Sequence, residues 1–180
     1  MDIYRSHHIM NVTEKSIFID ANILISLWMP GKKSFLNSYC SRDFEMFLRH
    51  QTSLFTDIVV LSEFYNRWLR EAYYLYCRKN NLSPAQLKFK DYRQKDDGKI
   101  TIRQICFAIQ IILNDIKIIN PNYSRSLLFQ NIIDPDYFAH LDFNDLHIIS
   151  VCLHNDFCLW TNDIDFKGQN IDIFTENGKY

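Results

Sequence analysis

Four carboxylates stand out by where they fall: Asp20, Glu63, Asp145 and Asp163. Asp20 ends the apolar run Ile17-Phe18-Ile19, and Asp163 lies just past the run Phe157-Cys158-Leu159-Trp160. Short, unbroken apolar runs are the pattern of strands buried on both faces of a parallel sheet. Glu63 sits in the second turn of a helical run beginning at Ile58, and Asp145 in the first turn of another. When helices flank a parallel sheet, strand ends and the helix starts that follow them share one edge, and ligands bind there. Like charges gathered in a partly desolvated cleft repel strongly. A divalent cation that prefers oxygen ligands, Mg2+ or Mn2+, relieves this and carries water able to react. An acid set of this kind points to chemistry at a phosphoryl centre.

Each acid also has a plain structural explanation. Asp20 can cap the helix that starts near Asn22. Glu63 can pair with Arg67, four residues on, which is worth only a few tenths of a kcal/mol. Asp142 is a natural N-cap, and Asp145 in the first turn behind it complements the helix macrodipole. Asp163 can be a turn aspartate. These explanations are all different, whereas a shared cation site accounts for the four together.

The elements that must position them are legible by periodicity. Residues 1–15 are polar and mixed and read as a tail containing the adjacent pair His7-His8. A strand covers about 16–20, and the helix or turn after it breaks at Pro30-Gly31. Phe35, Leu36, Tyr39, Phe44, Phe47 and Leu48 suit one or two amphipathic helices. Leu54-Phe55-Thr56 is a second strand, and Thr56 or Asp57 can cap the long helix Ile58 to Lys79, which has no Gly or Pro. Residues 80–100 mix Lys88, Lys90, Arg93, Lys95 and Lys99 with aromatic and acidic residues. They read as an insertion or surface segment in one domain spanning 1–180: either a solvated loop or a basic, aromatic-bearing surface for phosphates and bases. A helix is predicted from Thr101 to about Ile119, ended by Pro121, with another over Tyr123–Ile133 and a connection from Pro135 to Leu141. The run from His140 to Asn155 is helical, with His147 and His154 facing the surface or a partner. Ile171-Asp172-Ile173-Phe174 alternates like a terminal edge strand. Together these predict an α/β fold, a three-layer α/β/α sandwich around a central, mostly parallel sheet of about four to five strands.

Composition narrows the classes. The chain has 180 residues, 47% hydrophobic and 15% aromatic, and a formal net charge of -1. No global basic field announces nucleic acid, so any such substrate needs local patches and metal ions. Five cysteines without a Cys-x-x-Cys pair indicate reduced thiols in a cytoplasmic protein, and Cys152, His154 and Cys158 fit no common zinc spacing. The N-terminus lacks an apolar signal core, and no run approaches membrane-spanning length.

The segments Phe18-Ile19-Asp20-Ala21-Asn22-Ile23-Leu24, Val60-Leu61-Ser62-Glu63-Phe64, Asn144-Asp145-Leu146-His147-Ile148-Ile149 and Leu159-Trp160-Thr161-Asn162-Asp163-Ile164-Asp165-Phe166 resemble, in order, the motifs of PIN-domain nucleases. In size and layout the resemblance runs to the VapC-type toxin ribonucleases of toxin–antitoxin pairs, over about residues 16–175. It implies a PIN-like fold and a metal-dependent endoribonuclease that hydrolyses RNA. It assigns the acidic quartet to Asp20, Glu63, Asp145 and Asp163, with Asp142 as the alternative third acid. Asn22 and Thr161 match polar positions that orient the acids, and Asp165 an outer acidic position. A cognate antitoxin protein and a homodimer are implied partners. The stretch between Glu63 and Asp145 is longer than in compact toxins, which leaves substrate and partner open. The alternatives are a non-catalytic PIN-like scaffold, or a PIN nuclease acting in RNA processing or on DNA. An aspartyl-phosphate phosphatase would need a second Asp two positions after Asp20, where Asn22 stands.

Overall fold

The structure is a computed structural model, and it describes residues 2–31, 35–120 and 141–180. The predicted helix over Tyr123–Ile133, the stop at Pro121 and the connection from Pro135 up to Leu141 lie outside the described residues. In chain order the elements are β1 (Ile3–Tyr4), β2 (Ile17–Ile19), α1 (Ala21–Trp28), α2 (Phe35–Arg49), β3 (Leu54–Thr56), α3 (Ile58–Lys79), α4 (Phe89–Tyr92), α5 (Asp96–Asp115), β4 (Lys117–Ile118), α6 (Phe143–Asn155), β5 (Cys158–Trp160) and β6 (Ile173–Phe174). The strands form one all-parallel sheet in the order β1-β6-β5-β2-β3-β4, flanked by helices as a three-layer α/β/α sandwich.

β2 is the spine of that sheet. Ile17, Phe18 and Ile19 pair with Cys158, Leu159 and Trp160 on one side, and Ile17 and Phe18 with Leu54 and Phe55 on the other. Covered on both faces, the three residues are fully buried, which is why the run shows no polar alternation. The aromatic content packs on the sheet. Phe47 meets Trp160 and Phe174 edge-on at 5.2 Å each, and Phe157 stacks on Phe55 at 4.7 Å. Truncating a ring buried this deeply costs about 3–5 kcal/mol.

From β2 the chain steps outward to β3 and β4, then crosses back to β5 on the opposite side of β2. The order therefore reverses between β2 and β5. In open α/β sheets the crevice outside the strand ends at such a reversal is where ligands bind. Asp20 and the run from Thr161 to Asp163 sit at this crevice.

Four expectations are corrected. Residues 1–15 are not a tail: Ile3–Tyr4 pairs with β6, a 3-10 turn follows, and Ile9 and Val12 are buried. Consequently β6 is not an edge strand. The helix predicted to Ile119 begins earlier, at Asp96, and stops at Asp115, because Ile116 turns extended and Lys117–Ile118 pairs with β3. His147 does not face the surface; it is buried against Asp57.

Residues 80–100 carry α4 and the start of α5 and pack on α3. Leu87 and Tyr92 are buried, and the Tyr73 hydroxyl donates to the Leu87 carbonyl at 2.7 Å. Within the segment, Gly98 lets the first turn of α5 lie against the end of α4: a Cβ there would lie 2.2 Å from the Tyr92 carbonyl oxygen. The five cysteines are free thiols. Among the described residues, no helix is long and apolar enough to cross a membrane.

Candidate functional site

Asp20 is the N-cap of α1 and is 4% exposed. Its carboxylate is built into the sheet edge. Oδ1 accepts from the Ala21 backbone N–H at 2.5 Å, and Oδ2 accepts from Asn22 Nδ2 at 2.5 Å and from the Thr161 hydroxyl at 2.7 Å. Thr161 Oγ1 in turn accepts from Asn22 Nδ2 at 2.9 Å and from the Asp163 backbone N–H at 3.0 Å. Asn22 and Thr161 therefore orient Asp20 and tie the end of β2 to the end of β5. Burial pushes the Asp20 carboxyl up to about 7; the Thr161 hydroxyl and the Ala21 N–H hold it down, while the negative charges of Glu63 and Asp163 raise it further.

Asp163 stands at the start of the 3-10 turn Ile164–Phe166, where its Oδ1 accepts from the Asp165 N–H at 3.2 Å. Asp145 and Asp142 form a reciprocal capping box at the start of α6. Asp142 Oδ1 accepts from the N–H groups of Asn144 and Asp145, and Asp145 Oδ2 accepts from the Asp142 N–H at 2.8 Å. Burial pushes the Asp145 carboxyl up to about 6; the Asp142 N–H opposes this, and the charges of Asp142, Asp163 and Asp165 add to it. Asp163 is thus the common neighbour of Asp20 and Asp145. Asp142, the alternative third acid, is exposed and occupied as a cap; Asp165 is exposed. Glu63 is half-buried and pairs with Arg67 at 3.2 Å.

All four plain roles are therefore realised: two caps, a capping-box partner and an ion pair. They coexist with mutual repulsion among the same acids. The donor set is all oxygen, and of the four acids only Glu63 has a cationic partner, Arg67, among the described residues, which suits Mg2+ or Mn2+. Among the described residues, however, no three His, Cys, Asp or Glu side chains already converge closely enough to enclose an ion. The oxygen donors are of the type such a cation takes; among the described residues a closed ligand shell is not preformed.

Three features escape sequence reasoning. His147 on α6 donates through Nε2 to Oδ2 of Asp57, the cap of α3, whose Oδ1 accepts from the Val60 N–H at 2.9 Å. Both side chains are buried, and they lock the start of the Glu63 helix to the start of the Asp145 helix. Asn162 is the second: its N–H donates to Asn22 Oδ1, and its Oδ1 accepts from the Glu176 N–H at 3.0 Å and the Thr175 hydroxyl at 3.2 Å. The third is Tyr180, whose hydroxyl donates to the Asp163 carbonyl oxygen; burial and then the charges of Asp163, Asp20 and Asp165 raise its pKa. The His147–Asp57 and Asn162–Asn22 pairings join residues 90 and 140 apart and leave no local pattern, and Tyr180 reaches Asp163 from 17 residues away; only the polar run Thr161-Asn162-Asp163 marked one of the three in advance. Compared with models of protein families, with curated proteins and with solved structures, the chain has no match.

Proposed function

We propose that the protein is a divalent-metal-dependent endoribonuclease that hydrolyses RNA phosphodiester bonds. The observation that carries this reading is a buried carboxylate, Asp20, held at the sheet's reversal point with Glu63 and Asp163 as negative neighbours. Asp20, Asp145, Asp163 and Glu63 are the residues that would hold Mg2+ or Mn2+. A bound cation lowers the pKa of its water and neutralises charge developing on the phosphoryl group. Asn22 and Thr161 keep Asp20 aimed at the crevice. Asp142 holds Asp145 at the helix start, and Glu63 orients the attacking water or completes the ligand set. The order and spacing of the PIN-like motifs support the choice of phosphodiester hydrolysis, and the toxin role with a cognate antitoxin and a homodimer rests on that resemblance alone.

One observation favours a second reading, a non-catalytic scaffold. The acids are engaged as caps and in an ion pair, and no three of them converge on a preformed ion site among the described residues. Incubating purified protein with labelled RNA and DNA, with Mn2+, with Mg2+ and with EDTA, separates the readings. Metal-dependent RNA cleavage that disappears in Asp20→Asn supports the proposal. Cleavage of DNA alone would move the substrate, and no cleavage of either in a protein that also binds no Mn2+ would favour the scaffold.

A further inference from the structure

Helix α3 carries a stripe that begins at the acid cluster and leads away from it. Glu63, Arg67, Arg70, Tyr74 and Arg78 recur at three- and four-residue spacing and so share one face. The stripe is also the floor of a chain of hollows. A cavity of about 480 Å³ contains Glu63, Asn66, Arg67, Arg70 and, from α6, Asn144. Arg67 and Arg70 also line the next, of about 220 Å³, against Ile25 and Met29 at the end of α1. Tyr74 belongs to that hollow and to a third, of about 470 Å³, that reaches Arg78. At 1.5 Å per residue, Glu63 to Arg78 spans about 22 Å, room for a run of several nucleotides.

The chemistry along the stripe is cationic with one exposed ring. Arg70 lies over the Phe89 ring at 5.0 Å, so its guanidinium is held in place, and Tyr74 is 48% exposed. Arg67 rests on Glu63 in a partly exposed pair, which a phosphate can displace with little loss. Glu71 flanks the face and lines two of the hollows, so along it three arginines stand against two acids, Glu63 and Glu71. Arginines tracking a backbone beside an aromatic platform are the means by which proteins hold single-stranded nucleic acid. The 80–100 segment fits this less well, because Tyr92 is buried and Phe89 lies beneath Arg70.

We propose that the α3 stripe Arg67, Arg70, Tyr74 and Arg78 is the track on which a single-stranded RNA lies as it reaches the acid cluster. This rests on the nuclease reading for its direction, but its test is binding. The probe is a fluorescently labelled single-stranded RNA of a dozen nucleotides, titrated by anisotropy with the Asp20→Asn protein over a range of salt. Adding Arg70→Ala and Arg78→Ala should weaken binding at least tenfold. It should also flatten the salt dependence by about 0.7 in log–log slope per arginine removed. Tyr74→Ala should weaken binding about tenfold without changing that slope. Arg93→Ala with Lys95→Ala, in the exposed part of 80–100, should change neither. A folded double-arginine variant, checked by circular dichroism, that binds like its parent would overturn the track. So would tighter binding to duplex RNA or to an acidic peptide than to the single strand. RNA binding that needs the stripe, in a protein that cuts nothing with any metal, would sink the nuclease reading and leave the track standing.

Discussion

The two halves of the candidate site are built differently. The sheet-borne half, Asp20 with Asn22, Thr161 and Asp163, is a buried hydrogen-bonded network at the reversal between β2 and β5. The helix-borne half, Glu63 on α3 and Asp145 on α6, is half-exposed and held by local partners, Arg67 for Glu63 and the capping box with Asp142 for Asp145. Its position is inherited from the Asp57–His147 contact, one buried link between the two helix starts. A polar network in a desolvated edge sets an acid rigidly, whereas an acid on a helix end moves as far as the helix does. This accounts for a centre whose charges already feel one another while no closed set of ligands is preformed among the described residues.

That contrast can be broken first at the sheet. Asp20→Asn should lower RNA cleavage about 1,000-fold, near 4 kcal/mol of transition-state stabilisation, measured by initial rates with excess Mn2+. The same change should raise stability. A carboxyl raised from 3.8 to about 7 in the fold costs nothing below about pH 4, and its full penalty applies above pH 7. In metal-free buffer, denaturant melts of Asp20→Asn should therefore show a gain of at most about 4 kcal/mol at pH 8, reduced by the acceptor oxygen the amide lacks, and none at pH 4.

The helix-borne half breaks at its link. His147→Ala strands the buried Asp57 carboxylate and should cost about 3 kcal/mol in urea unfolding, with activity falling further than stability explains. Thr161→Val sharpens the comparison. It removes a hydrogen bond that holds the Asp20 carboxyl down, so the pH midpoint for Mn2+-dependent thermal stabilisation should move upward, at a stability cost of about 1 kcal/mol. The smallest effect belongs to Arg67→Ala. Its pair with Glu63 is partly exposed, so the loss should stay within about 0.5 kcal/mol in thermal melts.

Much of this architecture is legible in the residues. Ile17-Phe18-Ile19 and Phe157 to Trp160 announce buried strands because burial on both faces leaves no room for polar alternation. Asp57 before the uninterrupted run of α3, and Asp142 with Asp145 before α6, mark both helix starts through capping chemistry. The four acids stand at element termini, which is why the edge they share can be inferred. What stays hidden is set by distant partners. β1 is two residues long and exists by pairing with β6, some 170 residues away. β4 is two exposed residues whose only reason to be extended is the open side of β3. His147 looks like a surface histidine until Asp57 is placed opposite it. Whether acids that repel also close on an ion depends on sub-ångström placement that residue types do not encode.

The central claim is that these acids are one divalent-cation site, and calorimetric titration with Mn2+ tests it most directly. At pH 8, above the raised carboxyls of Asp20 and Asp145, the protein should give a saturable heat that is lost in Asp20→Asn and much weakened at pH 5, where protons occupy both groups. A folded protein that gives no saturable heat at pH 8, or an Asp20→Asn variant that binds Mn2+ as tightly as its parent, would contradict the account.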